Sequence, residues 1–135
     1  MVLFEWTSDL SVKVAEIDKQ HQKLIAMINE LHDAMALAKG KDMLGKILER
    51  LVAYAAEHFA TEENYFDQIK YPDTISHKKE HADFVKKVIE FQDNFNNGQL
   101  AMTLDVMRFL KDWLIKHIQG TDKKYSPYFN EKGIK

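Results

Sequence analysis

The chain has 135 residues, of which 45% are hydrophobic and 30% charged, a balance that predicts one soluble domain with a continuous core. Its net charge of -2 gives no basic surface for nucleic acid, and the lack of cysteine excludes disulfides and thiolate metal sites. No signal-peptide pattern or apolar run of membrane-spanning length is present. We therefore expect a cytoplasmic monomer without membrane insertion, in which any metal is held by histidine and carboxylate side chains.

Apolar residues recur at helical spacing in four segments that follow an irregular arm. The predicted helices run from Ile17 to Gly40, from the capping residue Asp42 to the turn at Pro72, from Ser76 to Gly98, and then to a stop at Gly120. Short connections predict an all-α fold, an up-down-up-down antiparallel four-helix bundle with an irregular N-terminal arm. The predicted organisation is a single domain, 1–135, with the arm at 1–15, the bundle at 16–122 and a C-terminal tail at 123–135.

Two pairs of polar residues carry the strongest functional pattern. His58 and Glu62 are spaced i,i+4 before the turn at Pro72, and His77 and His81 are spaced i,i+4 after it. On a helix this spacing stacks two side chains on one face, so each pair can aim at a common point. Two helices facing each other across the turn could therefore present three imidazoles and a carboxylate to one small volume.

The bundle topology brings two further histidines to the same end. His21 lies early in the first helix and His117 closes the fourth, whereas His32 lies about 16 Å further along the first helix and is expected to be a core residue. Asp122 follows His117 by five residues, and a regular helix would turn the two side chains about 140° apart. A distortion at Gly120 would bring the carboxylate back to the end of the bundle.

A lone i,i+4 histidine pair is a weak signal, and a lone histidine in an apolar stripe is usually a core residue. Five imidazoles and two carboxylates in one small volume, however, would be costly to bury unless a metal satisfied them. Seven groups suit two six-coordinate ions if Glu62 and Asp122 each bridge. With a bridging hydroxide, one coordination position stays open. Trp113, Leu114 and Ile118 are predicted to line an apolar pocket at this position, which suits dioxygen.

These residues resemble the motifs of the hemerythrin family, in its single-domain bacterial kind, over nearly the whole chain. The matching positions are Trp6, Ile17 to His21, His58 to Glu63, Tyr71 and Pro72, His77 to His81, Trp113, Leu114, His117, Ile118, Asp122 and Tyr125. Phe66 is one departure, because relatives more often carry Met there. We expect Phe66 to touch no ligand and to affect local packing at most.

The resemblance implies a non-haem centre of two iron ions, bridged by carboxylates and by an oxo or hydroxo group, that binds dioxygen reversibly. By resemblance, His77, His81 and His117 hold one iron, His21 and His58 hold the other, and Glu62 and Asp122 bridge them. The iron with two histidines keeps the open position. We further expect Tyr125 to lie behind the ligands and to orient the bridge.

The predicted function is oxygen storage, transport or delivery to an oxygen-consuming enzyme, by a protein that is not itself an enzyme. One alternative is a di-iron oxidase or peroxide-handling enzyme. Ferritin-like di-iron proteins, however, use more carboxylates and a Glu-x-x-His spacing, whereas the ligands here are mostly imidazoles. The other alternative is an oxygen sensor, which would have to act through a separate partner.

Overall fold

The computed structural model describes residues 5–37, 41–98 and 104–135. Its long helices are α1 (Ala15–Ala36), α2 (Lys41–Ile69), α3 (Thr74–Asn96) and α4 (Leu104–Lys116), and the described ranges contain no strand. Helix α2 packs against α1 and α3, while α4 packs against α1. The predicted all-α, antiparallel four-helix bundle is confirmed.

The core of the bundle is built from the apolar faces that the helical periodicity predicts. Ile17, Leu24 and Leu31 of α1 are each at most 3% exposed. Helices α3 and α4 meet through aromatic rings, of which the closest pair, Phe84 and Trp113, stacks with centroids 4.0 Å apart. In the described part of the chain, no helix combines the length and the apolar character needed to cross a membrane.

The helix boundaries differ from the predicted ones at three places. Helix α1 ends at Ala36, and its predicted end at Gly40 lies outside the described residues. Asp42 lies inside the first turn of α2, where the helix dipole favours a carboxylate, rather than at the predicted capping position. Helix α3 begins at Thr74, two residues before Ser76, because the Thr74 hydroxyl donates a hydrogen bond to the Tyr71 carbonyl and closes the turn.

The helical path does not stop at Gly120, so the predicted stop is wrong. Helix α4 gives way to a π turn at His117–Thr121, which is followed by a 3-10 turn at Asp122–Tyr125 and by helix α5, Ser126–Glu131. A glycine that ends a helix typically takes a positive φ. Gly120 does not, whereas Gly98, just beyond α3, has a φ of 75°.

The N-terminal arm and the predicted C-terminal tail are joined to each other. A 3-10 turn at Ser8–Leu10 precedes Val12, whose backbone N–H donates to Asp18 Oδ1 at 2.8 Å. In α5 the Ser126 hydroxyl donates to the Val12 carbonyl, and the Asn130 amide donates to the Lys13 carbonyl at 2.9 Å. These contacts fix both ends of the described chain at the end of the bundle that carries the predicted ligands.

Candidate metal centre

The structure brings all seven predicted ligands to one end of the bundle. They are His21 of α1, His58 and Glu62 of α2, His77 and His81 of α3, His117 in the π turn and Asp122 just beyond it. Each of the seven side chains is at most 3% exposed. Such a buried cluster of titratable groups needs partners for its polar atoms.

The π turn determines where Asp122 lies. In this turn the backbone N–H of Asp122 donates to the carbonyl of His117, five residues earlier, as well as to that of Ile118, four residues earlier. The wider turn brings the two side chains onto one face, which a regular α-helix would not do. The distortion considered from the sequence is therefore present, but Gly120 reaches it without a positive φ.

Asp122 lies between three imidazoles. Its Oδ1 is 2.9 Å from His77 Nε2 and 3.0 Å from His117 Nε2, and its Oδ2 is 3.2 Å from His21 Nε2. One carboxylate oxygen thus faces α3 and α4 while the other faces α1. This is the orientation that a carboxylate needs if its two oxygens bind two different ions.

Glu62 lies against the remaining imidazoles. Its Oε1 is 3.2 Å from His58 Nε2 and 3.3 Å from His81 Nε2. His81 Nε2 is in turn 3.0 Å from His117 Nε2. Two ligand atoms about 2.1 Å from one ion and at right angles to each other would be about 3.0 Å apart, so these separations suit a shared ion.

Several of these close atoms are not aligned for hydrogen bonds. In the described part of the chain, His21 Nε2, His77 Nε2, Glu62 Oε1 and both oxygens of Asp122 are buried without a hydrogen-bond partner. Buried polar atoms without partners are costly, and a cation at the centre of the cluster would satisfy them together. Imidazole and carboxylate donors are the ligand types that suit iron. The side chains present therefore fit a metal centre.

The ligand atoms fall into two overlapping groups. One group contains His77, His81 and His117, the other contains His21 and His58, and both include Glu62 and Asp122. Within each group the ligand atoms lie within 4.8 Å of one another. Because the same two carboxylates belong to both groups, the geometry suits two ions bridged by Glu62 and Asp122 better than two separate sites.

Tyr125 forms a hydrogen bond to one of these two carboxylates, Glu62. Its hydroxyl donates to Glu62 Oε2 at 2.5 Å, and both side chains are fully buried. Burial first, and then the negative charges of Glu62 and Asp122, raise the pKa of Tyr125 well above its ordinary value. The phenol therefore stays protonated and remains a hydrogen-bond donor that orients Glu62.

Three residues that the sequence analysis did not single out accept hydrogen bonds from the Nδ1 atoms of the histidines. They are Gln20, 2.6 Å from His58 Nδ1, Glu63, 2.9 Å from His81 Nδ1, and Glu80, 3.0 Å from His117 Nδ1. Each acceptor places the imidazole proton on Nδ1 and leaves Nε2 free to bind a metal. All three lie within the motifs that carry the family resemblance, but the spacing of the ligands gives them no role of their own.

Aromatic rings cover the cluster. Phe59 stacks on His81 with ring centroids 3.9 Å apart, and Trp113 stacks on His117 at 4.5 Å. Phe66 lies with its ring centroid 4.6 Å from that of His77. The expectation that Phe66 touches no ligand is therefore wrong, because residues i and i+4 on α2 place Phe66 one turn beyond Glu62, beside the same cluster.

Comparisons with known proteins agree with this arrangement. The family described as "Hemerythrin HHE cation binding domain" matches residues 12–129. The chain belongs to the hemerythrin family. A bacteriohemerythrin of Methylococcus capsulatus is 35% identical over 94% of this chain and 97% of its own length. A second, from Stenotrophomonas maltophilia, is 33% identical over 93% of this chain and 81% of its own length.

Solved hemerythrin structures match the fold as well. A crystal structure of wild-type hemerythrin superposes with a TM-score of 0.88 at 35% sequence identity. The match covers 93% of this chain and 96% of that one. The seven clustered side chains are thus found in a hemerythrin fold as well as in a hemerythrin sequence.

The residues predicted to line the oxygen pocket lie on the α4 side of this hemerythrin centre. Trp113 is half-buried against His117, whereas Leu114 and Ile118 are 4% and 0% exposed. Their role as an oxygen pocket remains a prediction. His32 belongs to neither group of ligand atoms and lines a surface depression with Leu37.

Charge within the metal-free centre is distributed unevenly. Burial alone would lower the pKa of His117, but the nearby negative charge of Asp122, with further contributions from Glu62 and Glu80, raises it to about 9. Burial alone would raise the pKa of Asp122, but His117, His21 and His77 hold it well below its ordinary value. The metal-free hemerythrin centre therefore contains a protonated His117 beside an ionised Asp122 at neutral pH.

Loading the metal-free protein with ferrous ions should therefore release protons. A ligating imidazole must be neutral, so near pH 7.5 we expect about one proton per chain to leave His117, besides the proton that water loses when it forms the bridging hydroxide, and we expect metal affinity to rise with pH up to about 9. Anaerobic calorimetry in two buffers with different ionisation enthalpies measures this release. The His32→Ala variant should release the same amount, and an equal heat in both buffers would contradict the expectation.

Proposed function

We propose that this chain binds dioxygen reversibly at a non-haem di-iron centre and serves in oxygen storage, transport or delivery to an oxygen-consuming enzyme. His77, His81 and His117 would hold one iron, His21 and His58 the other, and Glu62 and Asp122 would bridge them. Tyr125 would orient the bridging Glu62. The family and the donor set of the buried cluster both support this proposal.

One observation carries the proposal, namely that two groups of ligand atoms share Glu62 and Asp122. A single ion would use only one group and would leave buried imidazoles of the other without partners. Two ions use both groups and satisfy both oxygens of Asp122. Five imidazoles against two shared carboxylates also differ from the carboxylate-rich ligand set of ferritin-like oxidases.

The two irons would supply the electrons and the vacant coordination position that reversible oxygen binding requires. The side chains of this chain would hold the ions through Nε2 atoms, while hydrogen bonds keep imidazole protons on Nδ1 and aromatic rings exclude water. The two carboxylates offset part of the positive charge of the ions, which limits the cost of burying them.

The protein offers few protons to a bound oxygen ligand. General acid catalysis needs a protonatable side chain within hydrogen-bond reach of the reacting group. The Tyr125 hydroxyl already donates its hydrogen bond to Glu62, and Leu114 and Ile118 are apolar. Glu63 and Glu80 accept hydrogen bonds from the outward-facing Nδ1 atoms of His81 and His117 and do not face the inside of the cluster. These features support a carrier rather than an oxidase.

Repeated cycles of oxygenation test the proposal. The diferrous protein is exposed to dioxygen, the oxygen pressure is then lowered, and the absorption spectrum is followed. We expect the diferrous spectrum to return over several cycles, because no carboxylic acid among the described residues faces the inside of the cluster to deliver the proton that would release reduced oxygen.

The control is the same protein loaded with zinc, which should show no spectral change with oxygen. Hydrogen peroxide or water released within one cycle would contradict the carrier and would favour the oxidase. Oxygen-dependent binding to a signalling protein, tested with the oxygenated and diferrous forms, would favour the sensor instead.

A further inference from the structure

The two groups of ligands differ in the hydrogen-bond acceptors that face the Nδ1 atoms of their imidazoles. In the group of His77, His81 and His117, two of the three Nδ1 atoms face a carboxylate. In the group of His21 and His58, neither Nδ1 atom faces a carboxylate of the described residues. This difference concerns residues outside the ligand set, and its consequence rests on the proposed di-iron centre.

The carboxylate Glu80 is held firmly against His117. Glu80 Oε1 is 3.0 Å from His117 Nδ1 and 2.9 Å from the hydroxyl of Thr121, which is 3.2 Å from Glu80 Oε2 as well. Thr121 is the last residue of the π turn. The turn that brings Asp122 to the centre therefore also provides the hydroxyl that orients Glu80.

The carboxylate Glu63 supports His81 in the same way. Its Oε2 is 2.9 Å from His81 Nδ1. Glu63 follows Glu62 directly on α2, so one of these carboxylates faces the inside of the cluster while its neighbour reaches the outer edge of an imidazole. The Glu63 side chain is 29% exposed and that of Glu80 is 44% exposed, so both lie at the edge of the cluster rather than inside it.

In the group of His21 and His58, one Nδ1 atom has a neutral hydrogen-bond acceptor and the other has no acceptor among the described residues. His58 Nδ1 donates to the side-chain oxygen of Gln20, whose amide nitrogen donates to the Thr61 hydroxyl at 3.3 Å. Thr61 in turn donates to the Glu57 carbonyl, which fixes the orientation of the amide. His21 Nδ1 is buried without a hydrogen-bond partner among the described residues.

A carboxylate behind a ligating imidazole makes that imidazole a stronger electron donor than a neutral acceptor does. The stronger donor favours the ferric over the ferrous ion. We propose that Glu63 and Glu80 are positioning residues that make the two irons electronically unequal, so that the iron held by three histidines loses its electron first. The iron held by His21 and His58 then remains ferrous in the half-oxidised protein.

The test is a potentiometric titration of the iron-loaded protein without dioxygen, at constant pH. A soluble one-electron oxidant takes one electron from one Fe²⁺, which becomes Fe³⁺, and a second equivalent oxidises the other iron. We expect two separate steps. Glu63→Gln and Glu80→Gln each keep a hydrogen-bond acceptor but remove the charge, and each should raise the lower potential by about 59 mV, which corresponds to a tenfold change in the equilibrium constant.

The converse variant is Gln20→Glu, which places a carboxylate behind His58. It should lower the upper potential by a similar amount and bring the two steps closer together. Asp83→Asn is the matched control, because Asp83 is an exposed carboxylate on α3 that pairs with Lys79 and touches no ligand. This control should leave the gap between the two steps unchanged.

A second readout identifies the iron that is oxidised first. In the half-oxidised protein labelled with ¹⁵N-histidine, pulsed electron paramagnetic resonance should show three strongly coupled imidazole nitrogens and two weakly coupled ones. Two strong and three weak couplings would overturn the proposal. So would shifts in Glu63→Gln and Glu80→Gln no larger than in Asp83→Asn, or loss of iron from these variants, which would indicate a purely structural role.

The further inference and the proposed function fail in different ways. A wild-type protein that does not hold two irons per chain overturns both. A wild-type protein that holds two irons and cycles with dioxygen, but whose potentials do not respond to these three variants, overturns only the roles of Glu63 and Glu80.

Discussion

Glu62→Ala should leave the purified protein with no more than a trace of iron. Glu62 belongs to both groups of ligand atoms, so its removal takes one ligand from each ion at once. It also leaves the buried hydroxyl of Tyr125 without its acceptor, which should cost about 1–3 kcal/mol of unfolding free energy. Iron content, measured by elemental analysis after anaerobic loading, gives the answer directly.

Two further variants sharpen this test. His58→Ala removes a ligand from only one group and should also lose the centre. The ion of that group would keep His21 as its single histidine ligand. His32→Ala is the matched control, since His32 lies on the same helix as His21 but in neither group. Two irons retained in Glu62→Ala, or iron lost in His32→Ala, would show that the assignment of ligands is wrong.

Leu114→Ala should hasten irreversible oxidation of the centre to the ferric state. Leu114 is 4% exposed and precedes His117 by three residues, so its side chain lies about one helical turn from that imidazole. Truncation should leave a cavity, destabilise the fold by about 2–5 kcal/mol and admit water beside the irons. The rate of oxidation in air, followed by absorption spectroscopy, measures the effect.

A control variant must distinguish the effect of any cavity in the core from the effect of a cavity beside the metal centre. Leu31→Ala removes the same atoms from a fully buried leucine on α1, ten residues from His21 and about 15 Å along the helix axis. It should lower the unfolding free energy by a similar amount but leave the oxidation rate unchanged. Equal oxidation rates in Leu114→Ala and in the wild-type protein would remove Leu114 from the oxygen pocket.

The bundle and most of the cluster could be predicted from the sequence because they follow regular helical geometry. The i,i+4 spacing of His58 with Glu62 and of His77 with His81 fixes two pairs without knowledge of the tertiary structure. The antiparallel topology then places His21 and His117 at the same end. These steps need only the number of residues per turn and the direction of each helix.

Other features depend on contacts that helical periodicity does not encode. Glu63 and Glu80 look like ordinary surface carboxylates in the sequence, and only the packing of α2, α3 and the π turn brings them to histidine nitrogens. The expectation that Phe66 touches no ligand failed because only the packing of α2 against α3 brings its ring beside that of His77. The predicted stop at Gly120 failed because a glycine can also accommodate an irregular turn while the helix continues.

The π turn at His117–Thr121 also bears on how such chains tolerate insertions and deletions. Adding or removing one residue in a regular α-helix rotates everything beyond it by about 100°. A π turn holds one extra residue without that rotation, so the five-residue separation of His117 and Asp122 is equivalent to the four-residue separation of His58 and Glu62. Ligands in this fold are therefore spaced by helical turns, and two chains that differ by one residue here can share the same centre.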